Sequence, residues 1–392
     1  METKYKFLLF LAFLPFIGRT QASLDSVITA VKATNKTLIA SRLQMEAEMR
    51  EARTGIYLPN PEVQFDYLWG DPTSSGNRTD FGITQSFSFP SVYVQRSNQS
   101  GLRRTGASLK YLQKEREVLL KAESDWLNIV GLNKLLSLIN HRILLSEEIA
   151  KKAKLQLSKG EIDVIKYHHA QMEFVNLKIE CTELEVKRNN LQTDLNHLCG
   201  GKSILVNDTV FPPMASISLN DITGSYSGTP QVKSLENVVK VRNLDKNIAV
   251  SEWLPKFKAG YYSEVVTGLR YQGIQTGISI PLWQNMNSVK AADYQMQVAD
   301  AELDQLKSQE MAHLVSLFNK RDKLAAQMVE IKLALLPVND LNLLRKALDS
   351  GEINISEFYF EISVFYTSWM GLLKTENELA ITDAELKFLL GR

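Results

Sequence analysis

The chain has 392 residues with 45 basic and 44 acidic side chains, a formal net charge of +1, and two cysteines. Near-neutral charge without a basic stripe excludes a nucleic-acid partner held by counterion release. Cys181 and Cys199 exclude a disulfide scaffold, because both fall on one predicted helix about 27 Å apart by helical rise. They read as small buried hydrophobes.

At the start of the chain, Lys4 and Lys6 precede an apolar run at residues 7–17, and Thr20-Gln21-Ala22 places small residues at −3 and −1 of a cleavage site. Residues 1–22 read as a secretory signal peptide; the run is too short for a hydrocarbon core of about 30 Å. Every later apolar stretch is interrupted by charges at helical spacing. An exported chain of this kind can enter a membrane in one way, as part of a closed β-barrel.

The remainder is written twice. A constant step of 191 carries Gly82-Ile83 to Gly273-Ile274, Ser88 and Pro90 to Ser279 and Pro281, Gly160-Glu161-Ile162 to Gly351-Glu352-Ile353, and Leu195, Leu198 and Gly200 to Leu386, Leu389 and Gly391. Self-similarity at one offset marks a tandem duplication. The first repeat covers residues 23–200 and the second 231–392, joined by a linker at 200–230 rich in Gly, Ser, Asp and Pro. Each repeat reads as a helix, a β-hairpin (61–90 and 256–281) and a long helical hairpin (91–199 and 282–391).

In the first hairpin Val63, Phe65, Tyr67 and Trp69 alternate with Gln64, Asp66 and Leu68; beyond the turn, Phe81, Ile83, Phe87 and Phe89 alternate with Gly82, Thr84, Ser86 and Ser88. The second repeats the pattern with Ile274, Thr276, Ile278 and Ile280 against Gln275, Gly277 and Ser279. Strands of about ten residues with this period fit a tilted membrane-crossing strand. Four strands cannot close a barrel and would leave two edges exposed in lipid, so several chains must pool them or the sheet is not a membrane sheet.

Residues 91–159 contain no proline, and Leu109, Leu112, Leu119, Leu120 and Leu127 recur at helical spacing. About 68 residues at 1.5 Å each make a rod of about 100 Å, a coiled-coil element rather than a globular one. The returning helix and the helix leading into the strands add to the same length, which places a waist part-way along the rod. Gly160 and Gly351 close the long helices as glycine does at C′. Pro337 breaks the second long helix short of its turn, with no counterpart in the first.

These residues together resemble the outer-membrane factor family, the TolC-like trimeric channel-tunnels of Gram-negative efflux and secretion systems. The residues that carry the resemblance are Leu58-Pro59-Asn60-Pro61 and Trp253-Leu254-Pro255 before each hairpin, Ser88-Phe89-Pro90 and Ser279-Ile280-Pro281 after it, and the turns Lys159-Gly160-Glu161 and Ser350-Gly351-Glu352. The Leu-Pro-Asn-Pro opening looks most like the heavy-metal, cation-efflux branch. The resemblance implies a mainly α fold with a membrane β-barrel: a homotrimer pooling four strands per chain into a barrel of twelve, with long coiled-coil helices forming a periplasmic α-barrel. It implies a passive duct in the outer membrane extending into the periplasm, with a periplasmic adaptor (membrane fusion) protein and an inner-membrane efflux transporter as partners. No cofactor is implied.

On this reading Phe65, Tyr67, Phe81, Ile83, Phe87, Ile278 and Ile280 face outer-membrane lipid. Gly160, Glu161, Asp163, Gly351, Glu352, Asn354 and Glu357 form the tip that docks the adaptor and ring the mouth with carboxylates, which attract cations; acids in a first helical turn also serve as dipole partners. An enzyme is a poor reading: no phosphate loop, nucleophile elbow or His-ligand motif is present, and His168-His169 project their rings about 100° apart on a helix. The alternative is a soluble periplasmic coiled-coil adaptor or tether without a pore, which leaves the greasy hairpin faces unexplained.

Overall fold

The computed structural model describes residues 23–213, 228–335 and 341–390. The signal segment, part of the linker and Pro337 lie outside the described residues. Two helices open the chain, α1 (Leu24–Thr34) and α2 (Lys36–Glu51). Asn35 separates them: its backbone is extended (φ −64°, ψ 121°) and its Oδ1 accepts the Leu38 N–H at 2.9 Å. Its amide also donates to the Leu198 carbonyl at 2.8 Å, pinning this break to the far end of the first helical hairpin.

Strands β1 (Glu62–Leu68) and β2 (Arg78–Phe87) form the first hairpin; β3 (Lys256–Val266) and β4 (Leu269–Ser279) form the second. The second hairpin turns on Thr267 and Gly268, both at positive φ (48° and 86°), which suits the twist of a two-residue turn. All four strands pair antiparallel in the order β1-β2-β3-β4. The register puts Val63, Ile83, Tyr261 and Ile274 in one row and Phe65, Phe81, Ser263 and Gln272 in the next. Gly260 is obligatory in this ladder, because a Cβ there would lie 2.3 Å from the Ile83 carbonyl.

Pro90 opens α3 (Pro90–Ser158) directly from β2, at a position where its missing N–H costs nothing. The helix has 69 residues and spans about 100 Å. It is followed by α4 (Val164–Leu198), α5 (Pro230–Ser251), α6 (Ser288–Leu335), α7 (Leu341–Ser350) and α8 (Ile355–Leu390). The two repeats leave the sheet differently. After Pro281 the chain makes a turn ending in Asn287 at φ 66°, with the Asn285 amide on the Glu252 carbonyl, and only then enters α6.

α3 is the spine. Near the sheet it packs against α2 and α5, and α5 packs against α6; towards the far end it packs against α4 and α8, and α8 packs against α6. Each tier is therefore a layer four helices wide. A core at the waist gathers Val27, Val31, Trp126, Leu127, Ile129 and Leu195 around the entry of the linker. A second core near the tip gathers Ile149, Ala153, Ala170, Phe358, Ile362 and Phe365. Phe358 is fully buried there. Phe358→Ala should cost about 3–5 kcal/mol, read as a lowered denaturation midpoint. Lys154→Ala, on an exposed face of the same tier, should stay within about 0.5 kcal/mol.

Candidate functional site

The end of the rod furthest from the sheet is built from two glycine turns. Gly160 (φ 75°) and Gly351 (φ 78°) take the left-handed conformation that lets a helix stop and reverse, the 69-residue α3 at the first and the ten-residue α7 at the second. The Glu161 N–H reaches the Gln156 carbonyl at 2.9 Å, and the Glu352 N–H reaches Ala347 at 2.9 Å, so each turn recovers the last free carbonyls of its helix. The two turns are the same device made twice.

The polar residues beside them have local duties. Asp163 caps α4, accepting the Lys166 N–H at 2.9 Å. That backbone bond, with the Lys166 ammonium nearby, holds the Asp163 carboxyl below its ordinary range. Asn354 caps α8 by accepting from Ser356 (2.9 Å) and Glu357 (3.0 Å), while the Glu357 carboxylate takes the Asn354 N–H at 2.8 Å. This is a reciprocal capping box. Glu161 lies 3.9 Å from Lys159. Glu352 is exposed, with no ion-pair partner among the described residues.

Just above the turns, side chains tie one hairpin to the other. Lys152 pairs with Asp349 at 2.6 Å and Glu148 with Arg345, joining α3 to α7. Further up, Arg142 binds Glu173 of α4 at 2.5 Å and covers the Tyr366 ring of α8 at 5.3 Å. Tyr359 sits 3.4 Å from Ser146, and burial pushes its phenol up to about 12. At mid-rod Glu376 bridges Lys134 of α3 (2.7 Å) and Lys332 of α6 (3.2 Å); burial opposes its charge, but the two ammoniums outweigh this and hold its pKa low. Sequence reasoning missed these links because their partners lie up to 242 positions apart and follow no spacing rule.

The sheet has two unlike faces. Phe65, Tyr67, Phe81, Ile83, Phe87 and Ile278 share one face, and Ile280 continues its parity just past β4. Ile274, mid-strand on that face, is 87% exposed. The opposite face carries Gln64, Asp66, Arg78, Asp80, Thr84 and Glu264. Arg78 chelates Asp80 at 2.9 and 3.0 Å and reaches Glu264 at 3.1 Å and the Tyr262 hydroxyl at 3.1 Å.

Every tier stops at the same two edges. β1, α2 and α4 lie at one edge, β4 and α6 at the other. Along α4 the residues Ile165, Met172, Ile179 and Val186 recur every seven positions, exposed, on the side opposite Leu177 and Leu195 that bury against α3. On α6 Tyr294, Val298, Val315, Val329 and Leu333 are exposed in the same way. Heptad stripes of this kind are the pattern of coiled-coil seams, and among the described residues nothing covers these two.

Among the described residues no group of three or more His, Cys, Asp or Glu is placed to hold a metal ion, and no helix is long and apolar enough to cross a membrane. Cys181 and Cys199 are free and buried.

No family model matches the sequence, and no curated protein matches it. Solved structures do. A membrane protein from Pseudomonas aeruginosa superposes with a TM-score of 0.83 at 13% identity, over 95% of this chain and 93% of that one. The outer membrane protein VceC from Vibrio cholerae gives 0.80 at 10% identity, over 94% and 96%. CusC gives 0.78 at 14% identity, over 95% and 92%.

Replacing Asn354 with Ala should cost about 1 kcal/mol of stability through loss of the cap. Asp163 has its pKa lowered on folding, so its contribution is present above the ordinary aspartate value of about 3.9 and is lost as pH falls through the lowered one. Melting temperatures measured below pH 5 should therefore fall more steeply for the native chain than for Asp163→Asn, which keeps a capping oxygen without the charge. The chain has the channel-tunnel fold of outer-membrane channels.

Proposed function

We propose that this chain is the outer-membrane channel of a tripartite efflux system, a passive duct that three copies close into one tube. One observation carries the reading: among the described residues, the sheet and both helical tiers leave the same two edges unpaired. A contact between one edge and the opposite edge of a second copy is head-to-tail, and such contacts close into a ring when the rotation permits. Two copies would make an eight-stranded barrel, whose interior side chains fill; three make twelve strands around an open lumen. The apolar sheet face then meets lipid through Phe65, Tyr67, Phe81, Ile83, Phe87, Ile278 and Ile280. The polar face, with its Arg78–Asp80–Glu264 cluster, lines the bore.

The tip is the surface for a periplasmic adaptor, which an inner-membrane transporter would use to deliver cargo. Gly160 and Gly351 support this role, because their turns expose backbone where a side chain would oppose the left-handed geometry. Glu161 and Glu352 remain the carboxylates freest to face a passing cation, whereas Asp163, Asn354 and Glu357 hold helix ends as well. Metal cations or small toxic compounds are the cargo proposed; the metal reading rests on the Leu58-Pro59-Asn60-Pro61 opening, and the fold likeness to CusC is no greater than to the Pseudomonas aeruginosa membrane protein or to VceC.

The purified protein in a planar bilayer should show discrete conductance steps; a chain recovered wholly in the soluble fraction without detergent would instead be a periplasmic tether. Facing is tested at mid-strand. Ile274→Arg should cost about 2–4 kcal/mol and lower the amount assembled in the membrane, while Gln275→Arg, its neighbour towards the bore, should assemble normally. Equal tolerance of both would reject the facing.

A further inference from the structure

A cleft of about 260 Å³ lies between α2 and α3, lined by Glu46, Met49, Arg50, Arg53 and Arg104. None of the three guanidiniums has an acid within pairing distance among the described residues. Their neighbours Arg96 and Arg103 do: they meet Glu252 and Asp245 at 3.1 and 3.9 Å. Three guanidiniums against the single carboxylate of Glu46 leave the cleft with a positive excess, and a guanidinium outside a salt bridge is attracted to an aromatic face. Two of its lining residues, Glu46 and Arg50, belong to an exposed stripe of α2 in which Ile39, Leu43, Glu46 and Arg50 recur at steps of four, three and four.

The opposite edge of the molecule offers a matching knob. Tyr294, near the start of α6, is 68% exposed, and Val298 follows it on the face turned away from the buried Leu303 and Leu314. Two ion pairs place its height: Asp293, beside it, meets Lys246 of α5 at 2.6 Å, and Asp245, next to Lys246, meets Arg103 of α3 at 3.9 Å. Tyr294 therefore stands at about the level of Arg103 and Arg104, in agreement with the step of 191 that takes Arg103 to Tyr294. In a ring closed by rotation alone, elements of equal height meet.

We propose that this cleft is a socket for Tyr294 of a second copy of the chain, and that the pair anchors the sheet-side end of the seam between copies. The inference rests on the ring reading. The guanidiniums of Arg50 and Arg104 cover the incoming ring, and Met49 packs its thioether against the edge, a contact sulfur makes readily with aromatics. Tyrosine and arginine in a desolvated pocket are the residue types that dominate interface energies.

The test is disulfide trapping in membranes with Met49→Cys and Tyr294→Cys combined in one chain. Oxidation should give a ladder of covalent dimers and trimers, and neither single variant should, since Cys181 and Cys199 are buried. Tyr294→Ala should lower the intact oligomer about tenfold on dilution in detergent, Tyr294→Phe should preserve it, and Tyr294→Ala should do no added harm once Arg50 and Arg104 are alanine. Oligomers that form and conduct but neither cross-link nor respond to Tyr294→Ala would overturn the socket and leave the channel standing. A native chain that forms no oligomer would remove both.

Discussion

The structure depends on edge satisfaction. β1 and β4 each present a row of backbone N–H and C=O groups with no strand partner among the described residues. In water such edges invite aggregation; in hydrocarbon each unsatisfied group costs several kcal/mol. An apolar sheet face next to open edges is therefore unstable as an isolated unit in either solvent. Closure through further copies resolves both problems at once, and it dictates much of what the helices must do. They have to repeat the curvature of the sheet, carry complementary stripes on the same two sides, and hold their relative heights over about 100 Å.

The helical tiers meet that demand with different chemistry at different levels. Near the sheet, α3 and α5 are joined by polar links: Asn237 on the Leu102 carbonyl, Asp245 among Gln99, Arg103 and Arg242, and Arg96 on Glu252. At the waist, burial dominates, with Trp126, Leu127 and Ile129 packed beneath the linker segment that Asn133 holds through the Val206 and Asp208 carbonyls. Near the tip the apolar cluster around Phe358 returns, flanked by Arg142, Glu173 and Tyr366. Surface ion pairs are individually weak, whereas half-buried links such as Glu376 between Lys134 and Lys332 cost more to break than they add as a net gain. Such links fix which helix sits beside which. They are where the two hairpins would have to part if the tip were to open.

Much of the fold is legible in the sequence because two periods are written clearly. Alternation at Val63, Phe65 and Tyr67 and at Ile274, Thr276 and Ile278 specifies strands, and the proline-free run with leucines at helical spacing specifies the rod. The duplication adds register, since Gly160 and Gly351 mark equivalent turns. Other features follow no such rule. The break at Asn35 is one capping side chain within an otherwise helical pattern. The extra turn before α6 depends on Asn287 adopting a positive φ, which asparagine tolerates but sequence does not demand. At the tip the sequence names the right residue types, yet only geometry separates Asp163, Asn354 and Glu357, which close helix ends, from Glu352, which does not. The inter-hairpin pairs were out of reach for a simpler reason: a charge on a helix surface has many candidate partners, and three-dimensional proximity chooses among them.

Closure by three copies is the claim on which the barrel, the bore and the tip geometry all rest. The most direct measurement is the mass of the detergent-solubilised protein, determined with the detergent contribution resolved. A trimeric ring gives one species at three times the protomer mass, persisting on dilution. A monodisperse monomer or dimer that retains its folded helices would contradict it.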